Sequence, residues 1–194
     1  MRKRSMAELA FLALAFLAIG DAYCQGRVGS GLSIETSVVD PFFSIFFVRC
    51  HLDLTPRDAL LFGAYYLRTD KTFSGQAYPG NYQGIAPIIG YRRFLVGKIY
   101  LEYQLLPMYA VYHESDDGSD AKGFELWNEL HLGYRLDFTI LNFPLFINLQ
   151  GSLGFCLLKT DEPRSFANIE ATDPAYYFPN FYVLPNILLG IRLR

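Results

Sequence analysis

Apolar and polar residues alternate strictly along the stretch from Phe124 to Phe138. Every second residue from Phe124 onward is apolar, except Asn128. The residues between them are mostly ionisable: Glu125, Trp127, Glu129, His131, Gly133, Arg135 and Asp137. A period of two predicts a β-strand, because successive side chains of a strand leave opposite faces. This stretch has fifteen residues, and a tilted strand needs only about nine to eleven to cross a bilayer. The length favours a transmembrane strand.

The same reasoning predicts eight strands. They lie at about residues 32–38, 42–54, 59–68, 82–93, 99–113, 124–138, 145–157 and 181–193. The alternation slips near Val48, which predicts a β-bulge in the second strand. Pro107 predicts another bulge in the fifth strand, because proline cannot donate to the ladder.

The predicted connections differ in length on the two sides of the sheet. Those after strands two, four and six are short, whereas long polar segments at 69–81, 114–123 and 159–180 follow strands three, five and seven. The short connection after strand one is the exception. Long loops on one rim and short turns on the other are typical of outer-membrane barrels. The sequence therefore predicts an all-β protein, an eight-stranded antiparallel up-and-down transmembrane β-barrel.

The N-terminus has the pattern of a signal peptide. A basic start, Arg2-Lys3-Arg4, precedes an apolar run of eleven residues from Leu9 to Ile19, which is too short for a membrane-spanning helix. We assign residues 1–24 to a signal peptide and 25–194 to the barrel. Cleavage after Ala22, cleavage after Cys24 and lipid attachment at Cys24 remain alternatives. Export through the inner membrane would lead to the cell outer membrane.

Composition excludes several classes of function. The formal net charge of −2 provides no strongly basic face for a nucleic acid. Hydrophobic residues make up 52% of the chain, which suits a barrel that is apolar outside. Cys50 and Cys156 could form one bridge but have no metal or redox spacing. The histidines His51, His113 and His131 fall on three strands without short ligand spacing. We expect no metal and no cofactor.

The final strand, from Pro185 to Leu193, resembles that of the small eight-stranded outer-membrane β-barrel proteins of Gram-negative bacteria. The resemblance covers nearly all of the chain after the signal peptide. It implies outer-membrane lipid as the surroundings and the barrel-assembly machinery as a partner during biogenesis. The last strand of this family usually ends in an aromatic residue, whereas this chain ends in Leu193-Arg194. The resemblance implies an architecture and no particular activity.

Polar side chains in the inward phase of the strands are expected to fill the lumen. An eight-stranded barrel is just wide enough for side chains, and buried charges have to be paired. We therefore expect a packed polar interior, with a proton or ion path as the alternative. Its predicted members are Glu35, Arg49, His51, Asp53, Arg92, Glu102, Gln104, Glu125, Glu129, His131, Arg135, Asp137, Asn148, Gln150 and Arg192. The opposite face of the sixth strand, with Leu126, Leu130, Leu132 and Leu136, is expected to contact lipid.

His113 and Ser115 form a candidate catalytic pair. They share one face of an extended chain, and a hairpin centred near Ser119 would place His113 opposite Glu125. A carboxylate, an imidazole and a hydroxyl in this order form a hydrolytic triad. The trio resembles that of the lipid A deacylases. Because residues 116–118 favour a turn, we expect His113 and Ser115 to lie at the loop base without contact.

Three aromatic residues mark a candidate recognition surface at the predicted outer rim: Tyr176, Tyr177 and Phe178. They would either lie in the interfacial aromatic belt or bind an extracellular ligand or partner. The sequence as a whole predicts a non-enzymatic outer-membrane barrel with a structural or surface-interaction role. A lipid A deacylase-like hydrolase using His113, Ser115 and Glu125, or a narrow pore, are the alternatives.

Overall fold

The computed structural model describes residues 31–72, 74–115, 118–172 and 181–193. The predicted signal peptide, residues 1–24, lies outside the described residues. So do the aromatic residues Tyr176, Tyr177 and Phe178.

Eight antiparallel strands follow one another around a single sheet, which closes into a ring because β1 pairs with β8. Their bounds are β1 (Leu32–Ser37), β2 (Ile45–Asp53), β3 (Asp58–Lys71), β4 (Ala77–Val96), β5 (Ile99–Glu114), β6 (Asp120–Ile140), β7 (Phe143–Lys159) and β8 (Phe181–Leu193). Each strand pairs with its neighbours in the sequence. The prediction of an all-β fold with eight antiparallel up-and-down strands is confirmed.

The two faces of the closed sheet differ in character, as the alternation in β6 predicts. Glu125, His131 and Arg135 are buried inside the ring. Leu132 and Leu136 point outward, and Leu132 is 60% exposed. The outer surface of the ring is therefore apolar and its interior carries ionisable groups.

Inward and outward side chains alternate along β2 without interruption, and the prediction of a bulge near Val48 is wrong. Its pairing with β3 runs from Ile45 to Asp53 without a register shift. Ile45 and Arg49 are both buried, four residues apart, so they share the inward face. The pattern changes because the interior is apolar beside Ile45 and polar beside Arg49, while the backbone remains regular.

Pro107 does not produce a bulge either. Ile85 pairs with Tyr109 and Ile89 with Leu105, so the register is the same on both sides of the proline. Pro87 therefore occupies the position opposite Pro107. Neither proline has a backbone N–H group. The pairing of β4 with β5 is interrupted between these two residue pairs and resumes in the same register.

The predicted loops at 69–81 and 114–123 are largely strand. Strand β3 extends to Lys71 and β4 begins at Ala77, while β6 begins at Asp120. Pairing between the two arms of each hairpin overrides the polar, glycine-rich composition of these segments. The connection after β7 contains an α-helix, α1 (Arg164–Thr172), where a loop was predicted.

Strands β1 and β2 are short on the side of the long connections, which we call the upper side. β1 has six residues and β2 nine, whereas β6 has 21. The N–H of Val38 donates to the carbonyl of Ile187 at 2.9 Å, and above this bond β8 pairs only with β7. The wall therefore has a notch at its upper rim. We call the part of the ring above Ser37 and Ile45, formed by β3 to β8 and α1, the crown.

A 3₁₀ helix, Asp40–Phe43, forms the floor of the notch, where the second strand was predicted to begin. Pro41 stands in its first turn, where a missing N–H costs no bond. Ser44 ends it in the left-handed conformation with φ of 60°. No helix among the described residues is long and apolar enough to cross a membrane.

Gly63 of β3 is required by the packing of β2. A Cβ at this position would meet the carbonyl oxygen of Val48 and lie 2.9 Å from the Cα of Arg49. We expect Gly63→Ala to lower the free energy of unfolding by about 1–3 kcal/mol, as overpacking does. Urea unfolding of the protein refolded in detergent micelles measures this loss.

Gly151 provides the matched control, because a Cβ there meets no atom within 4 Å. Gly151→Ala should change the free energy of unfolding by no more than about 0.5 kcal/mol. Equal effects of the two substitutions would contradict the packing described for Gly63.

Candidate functional site

Two arginines and two glutamates occupy the lower interior, and we call them the arginine–glutamate cluster. Arg49 donates from Nε to Glu35 Oε1 at 2.6 Å and from Nη1 to Glu102 Oε1 at 2.7 Å. Arg92 donates from Nε to Glu102 Oε2 at 2.5 Å and from Nη2 to Glu35 Oε1 at 3.0 Å. Each arginine therefore bridges both carboxylates. The four side chains are fully buried, and their formal charges cancel.

The strand register brings these four residues together. Glu35 of β1 lies directly opposite Arg49 of β2, and Arg92 of β4 lies directly opposite Glu102 of β5. These are two cross-strand pairs of opposite charge, the arrangement that stabilises neighbouring strands. Gly63 of β3 lies opposite Arg49 and leaves space for the arginine side chain.

Other polar side chains add contacts to the carboxylates of the cluster. Asn148 Nδ2 donates to Glu35 Oε2 at 2.5 Å, and Gln104 Nε2 donates to Glu102 Oε1 at 2.5 Å. His51 Nε2 lies 2.9 Å from Glu35 Oε1. The Arg92 guanidinium stacks 4.1 Å from the centre of the Tyr100 ring. Side chains therefore fill the lumen at this level, as expected for eight strands.

A second polar network, centred on His131, lies next to the cluster. His131 Nε2 is 3.1 Å from Glu129 Oε2, and His131 Nδ1 is 2.7 Å from Ser152 Oγ. Gln150 Nε2 contacts the same Nδ1 atom at 3.1 Å, and the Tyr182 hydroxyl donates to Glu129. The contacts join a serine, a histidine and a glutamate in the order of a hydrolytic triad.

The cavity beside this network is too small for hydrolysis of a substrate. Its volume is about 40 Å³, whereas small-molecule sites have roughly 300–1,000 Å³. Ser152 and His131 are also buried. The network therefore satisfies interior polar groups. The alternation in the sequence placed Glu129 and His131 on the inward face, but it did not show that they are in contact with each other or with Ser152.

Glu125 lies higher in the interior, among aromatic residues. Tyr82 donates its hydroxyl to Glu125 Oε2 at 3.0 Å, and the Trp127 indole N–H donates to the same oxygen at 2.5 Å. Tyr112 donates to the other carboxylate oxygen. These contacts occupy both oxygens of the buried Glu125 side chain.

The structure does not bring His113, Ser115 and Glu125 together as a triad. His113 pairs in register with Asp120, and their Nδ1 and Oδ1 atoms lie 2.5 Å apart. Glu125 lies opposite Met108. The predicted pairing of His113 with Glu125 is wrong, because the register of β5 with β6 places Asp120, five residues before Glu125, opposite His113. Among the described residues, no hydrogen bond joins His113 to Ser115.

The remaining predicted lumen residues lie towards the lower rim. Arg192 Nη2 donates to Asp137 Oδ1 at 2.6 Å, and Arg135 Nε lies 3.4 Å from the same oxygen. Asp137 and Arg192 are each about one-third exposed. Arg135 is buried, with its guanidinium 3.6 Å from the centre of the Phe146 ring. Asp53 ends β2 and lies opposite Ala59 of β3.

Helix α1 covers the upper end of the interior. Phe166 of this helix is fully buried, and its ring stacks on Tyr78 with centroids 4.9 Å apart. The Tyr78 hydroxyl donates to Glu170 Oε1 at 2.9 Å. Lys159 binds Glu170 at 2.5 Å and Glu162 at 2.7 Å. The spacing of Phe166, Ile169 and Glu170, three and four residues apart, is a helical signal that the prediction of a loop missed.

The described residues contain no group of three or more His, Cys, Asp and Glu side chains arranged to hold a metal ion. Comparison of the chain with protein-family models, curated proteins and solved structures finds no match.

Glu102→Gln tests the arginine–glutamate cluster. The substitution preserves the shape of Glu102 and leaves two buried guanidinium groups with a single carboxylate. We expect the free energy of unfolding to fall by about 3–5 kcal/mol, as for other broken buried ion pairs. Arg192→Gln removes the partially exposed pair with Asp137, leaves the contact between Asp137 and Arg135 in place, and should cost less than about 1 kcal/mol. Urea unfolding in micelles measures both losses, and a Glu102→Gln loss as small as that of Arg192→Gln would contradict the account.

The packing of α1 over the upper end of the interior depends on pH because of Glu162. Burial, together with repulsion from Glu170 and Glu125, raises the pKa of Glu162 to about 7 from 4.5, although Lys159 opposes this shift. The packed position of α1 therefore favours protonated Glu162. The stabilisation that Glu162 contributes to this packing is complete below about pH 4.5 and is lost as the pH rises to about 7.

Hydrogen exchange measures this effect. Protection factors of the α1 amides should be larger at pH 5 than at pH 8, and Glu162→Gln should remove most of the difference. A Glu162→Gln variant with the same pH dependence as the unmodified chain would exclude Glu162 as the titrating group.

Proposed function

We propose that this chain is a non-enzymatic outer-membrane β-barrel with a closed interior and a structural or surface-interaction role. The observation that carries the proposal is the apolar outer surface. On β5, the outward residues below His113 are all uncharged: Ile99, Leu101, Tyr103, Leu105, Pro107, Tyr109 and Val111. At ~3.3 Å per residue and a tilt near ~40°, these positions span about 30 Å, close to the apolar band of known barrels.

The amount of exposed apolar surface supports a membrane environment. Large apolar side chains are exposed on all eight strands, including Phe46, Phe62, Leu132 and Val183. A soluble monomer rarely exposes a contiguous apolar patch larger than a few hundred Å². Lipid around the ring would cover this surface, since only a closed sheet satisfies its backbone inside a bilayer.

The filled interior supports a structural role over a pore. The arginine–glutamate cluster occupies the lower lumen, and α1 covers the upper end through Phe166. The contacts of His113 and Glu125 with other partners give no support to the hydrolase alternative. A surface interaction with a ligand or partner would therefore use the connections at the crown.

Reconstitution tests this proposal. The refolded chain should enter phosphatidylethanolamine–phosphatidylglycerol liposomes, migrate differently on gels before and after heating, and give no steady conductance in planar bilayers. A chain that stays soluble without detergent would contradict the membrane placement. Stable open channels would contradict the closed interior.

Leu132→Arg tests the depth of the apolar band. Leu132 lies near the middle of the outward face of β6, and an arginine near the bilayer midplane costs about 2–4 kcal/mol. Ile140 is also exposed and outward, at the lower end of the same strand. Ile140→Arg should cost only about 0–1 kcal/mol, because that position lies near the interface. Urea unfolding from liposomes measures both losses, and equal losses would show that β6 does not cross the bilayer as proposed.

A further inference from the structure

The crown contains a cavity of about 350 Å³ between the 3₁₀ helix and the hairpin of β3 and β4. We call it the crown cavity. Its volume lies within the range of small-molecule sites, roughly 300–1,000 Å³. Its lining includes Phe42, Phe43, Leu67, Asp70, Lys71, Tyr78 and Tyr82. The cavity is separate from the arginine–glutamate cluster and from the His131 network.

One part of the lining is apolar. Phe42, Phe43 and Leu67 contribute apolar side chains. The hydroxyls of Tyr78 and Tyr82 are already bound to Glu170 and Glu125. These two tyrosines therefore offer mainly their rings to an occupant.

The other part of the lining carries two opposite charges. Asp70 and Lys71 are adjacent in the chain, and both line the cavity. Neither forms an ion pair with another residue in the described part of the chain. An ammonium and a carboxylate that line the same cavity fit a ligand that carries both an anionic and a cationic group. A ligand that carries only one charge would be repelled by the side chain of the same sign, Asp70 or Lys71.

The apolar part of the cavity is continuous with the outer surface of the ring. Phe42 is 87% exposed on the floor of the notch, and Phe46 and Val48 are exposed on the outward face of β2 just below. Because β1 and β2 stop short, the exposed rings of Phe42 and Phe43 lie at this edge of the cavity. An acyl chain on the outer surface can therefore reach Phe42 while its polar head lies in the crown.

From these observations we propose that the crown cavity binds a phosphoethanolamine lipid. The phosphate would contact Lys71, the primary amine would contact Asp70, and the first part of an acyl chain would lie on Phe42 and Phe43. This inference rests on the proposed membrane placement and adds a specific lipid site to it. Choline lipids would bind more weakly, because a quaternary ammonium cannot donate hydrogen bonds to Asp70.

Native mass spectrometry of the full chain, refolded in a neutral sugar detergent, tests the site. The probes are short-chain phosphatidylethanolamine, phosphatidylglycerol and phosphatidylcholine at equal concentrations, and inorganic phosphate as a competitor. We expect one phosphatidylethanolamine per chain, bound more tightly than the other two lipids and not displaced by phosphate. Lys71→Gln should weaken this binding about tenfold, since it removes a charge-assisted hydrogen bond. Asp70→Asn should abolish the preference over phosphatidylglycerol.

Lys122→Gln is the matched control, because Lys122 is an exposed crown lysine outside the cavity lining. It should leave binding unchanged. Equal losses in Lys71→Gln and Lys122→Gln, or equal affinity for the three lipids, would overturn the site. Displacement by phosphate would also overturn it, in favour of a simple anion site. Gel mobility before and after heating reports insertion separately, so loss of lipid binding in a correctly inserted chain contradicts only this inference.

Discussion

The pairing of Arg49 and Arg92 with Glu35 and Glu102 is the interaction on which the rest of the structure depends. A buried charge without a partner costs several kcal/mol, so each of the four is stable inside only while the others are in place. They come from β1, β2, β4 and β5. A slip of one residue in any of these strands would turn its charged side chain outward. The cluster therefore favours a single register and, for the same reason, fills the lumen.

The interior above the cluster changes from charged to aromatic. The His131 network follows the cluster, and Tyr82, Tyr112 and Phe166 form a packed aromatic layer beneath α1. The outer surface is apolar along the middle of the strands, and exposed charged side chains such as Arg68 and Arg93 lie towards the strand ends. With a filled interior inside an apolar surface, the crown is where the proposed surface interaction would take place. The short strands β1 and β2 shape that crown, because they open the notch that leads to the crown cavity.

Much of the fold is predictable from alternation, since a half-buried strand has to present one face to each environment. The bounds of β8 agree with the prediction, as does the inward phase of Glu125 to Arg135. The phase of β2 was missed because Ile45 and Phe47 are apolar although they point inward. The crown cavity was not predictable, because it brings Phe42 near Lys71 across a gap left by missing strand pairs. Sequence patterns report local faces, whereas this cavity depends on relative strand lengths.

A spin-label scan of β6 in liposomes tests the central claim most directly, with Cys50 and Cys156 first replaced by serine. Labels at successive positions from Leu130 to Leu136 report access to oxygen, which concentrates in the bilayer, and to a water-soluble nickel complex. The account predicts a period of two, with high oxygen access at Leu130, Leu132, Tyr134 and Leu136 and low access to both reagents at the positions between them. High access to the nickel complex at the outward positions, or no period of two, would contradict a closed barrel that spans the membrane.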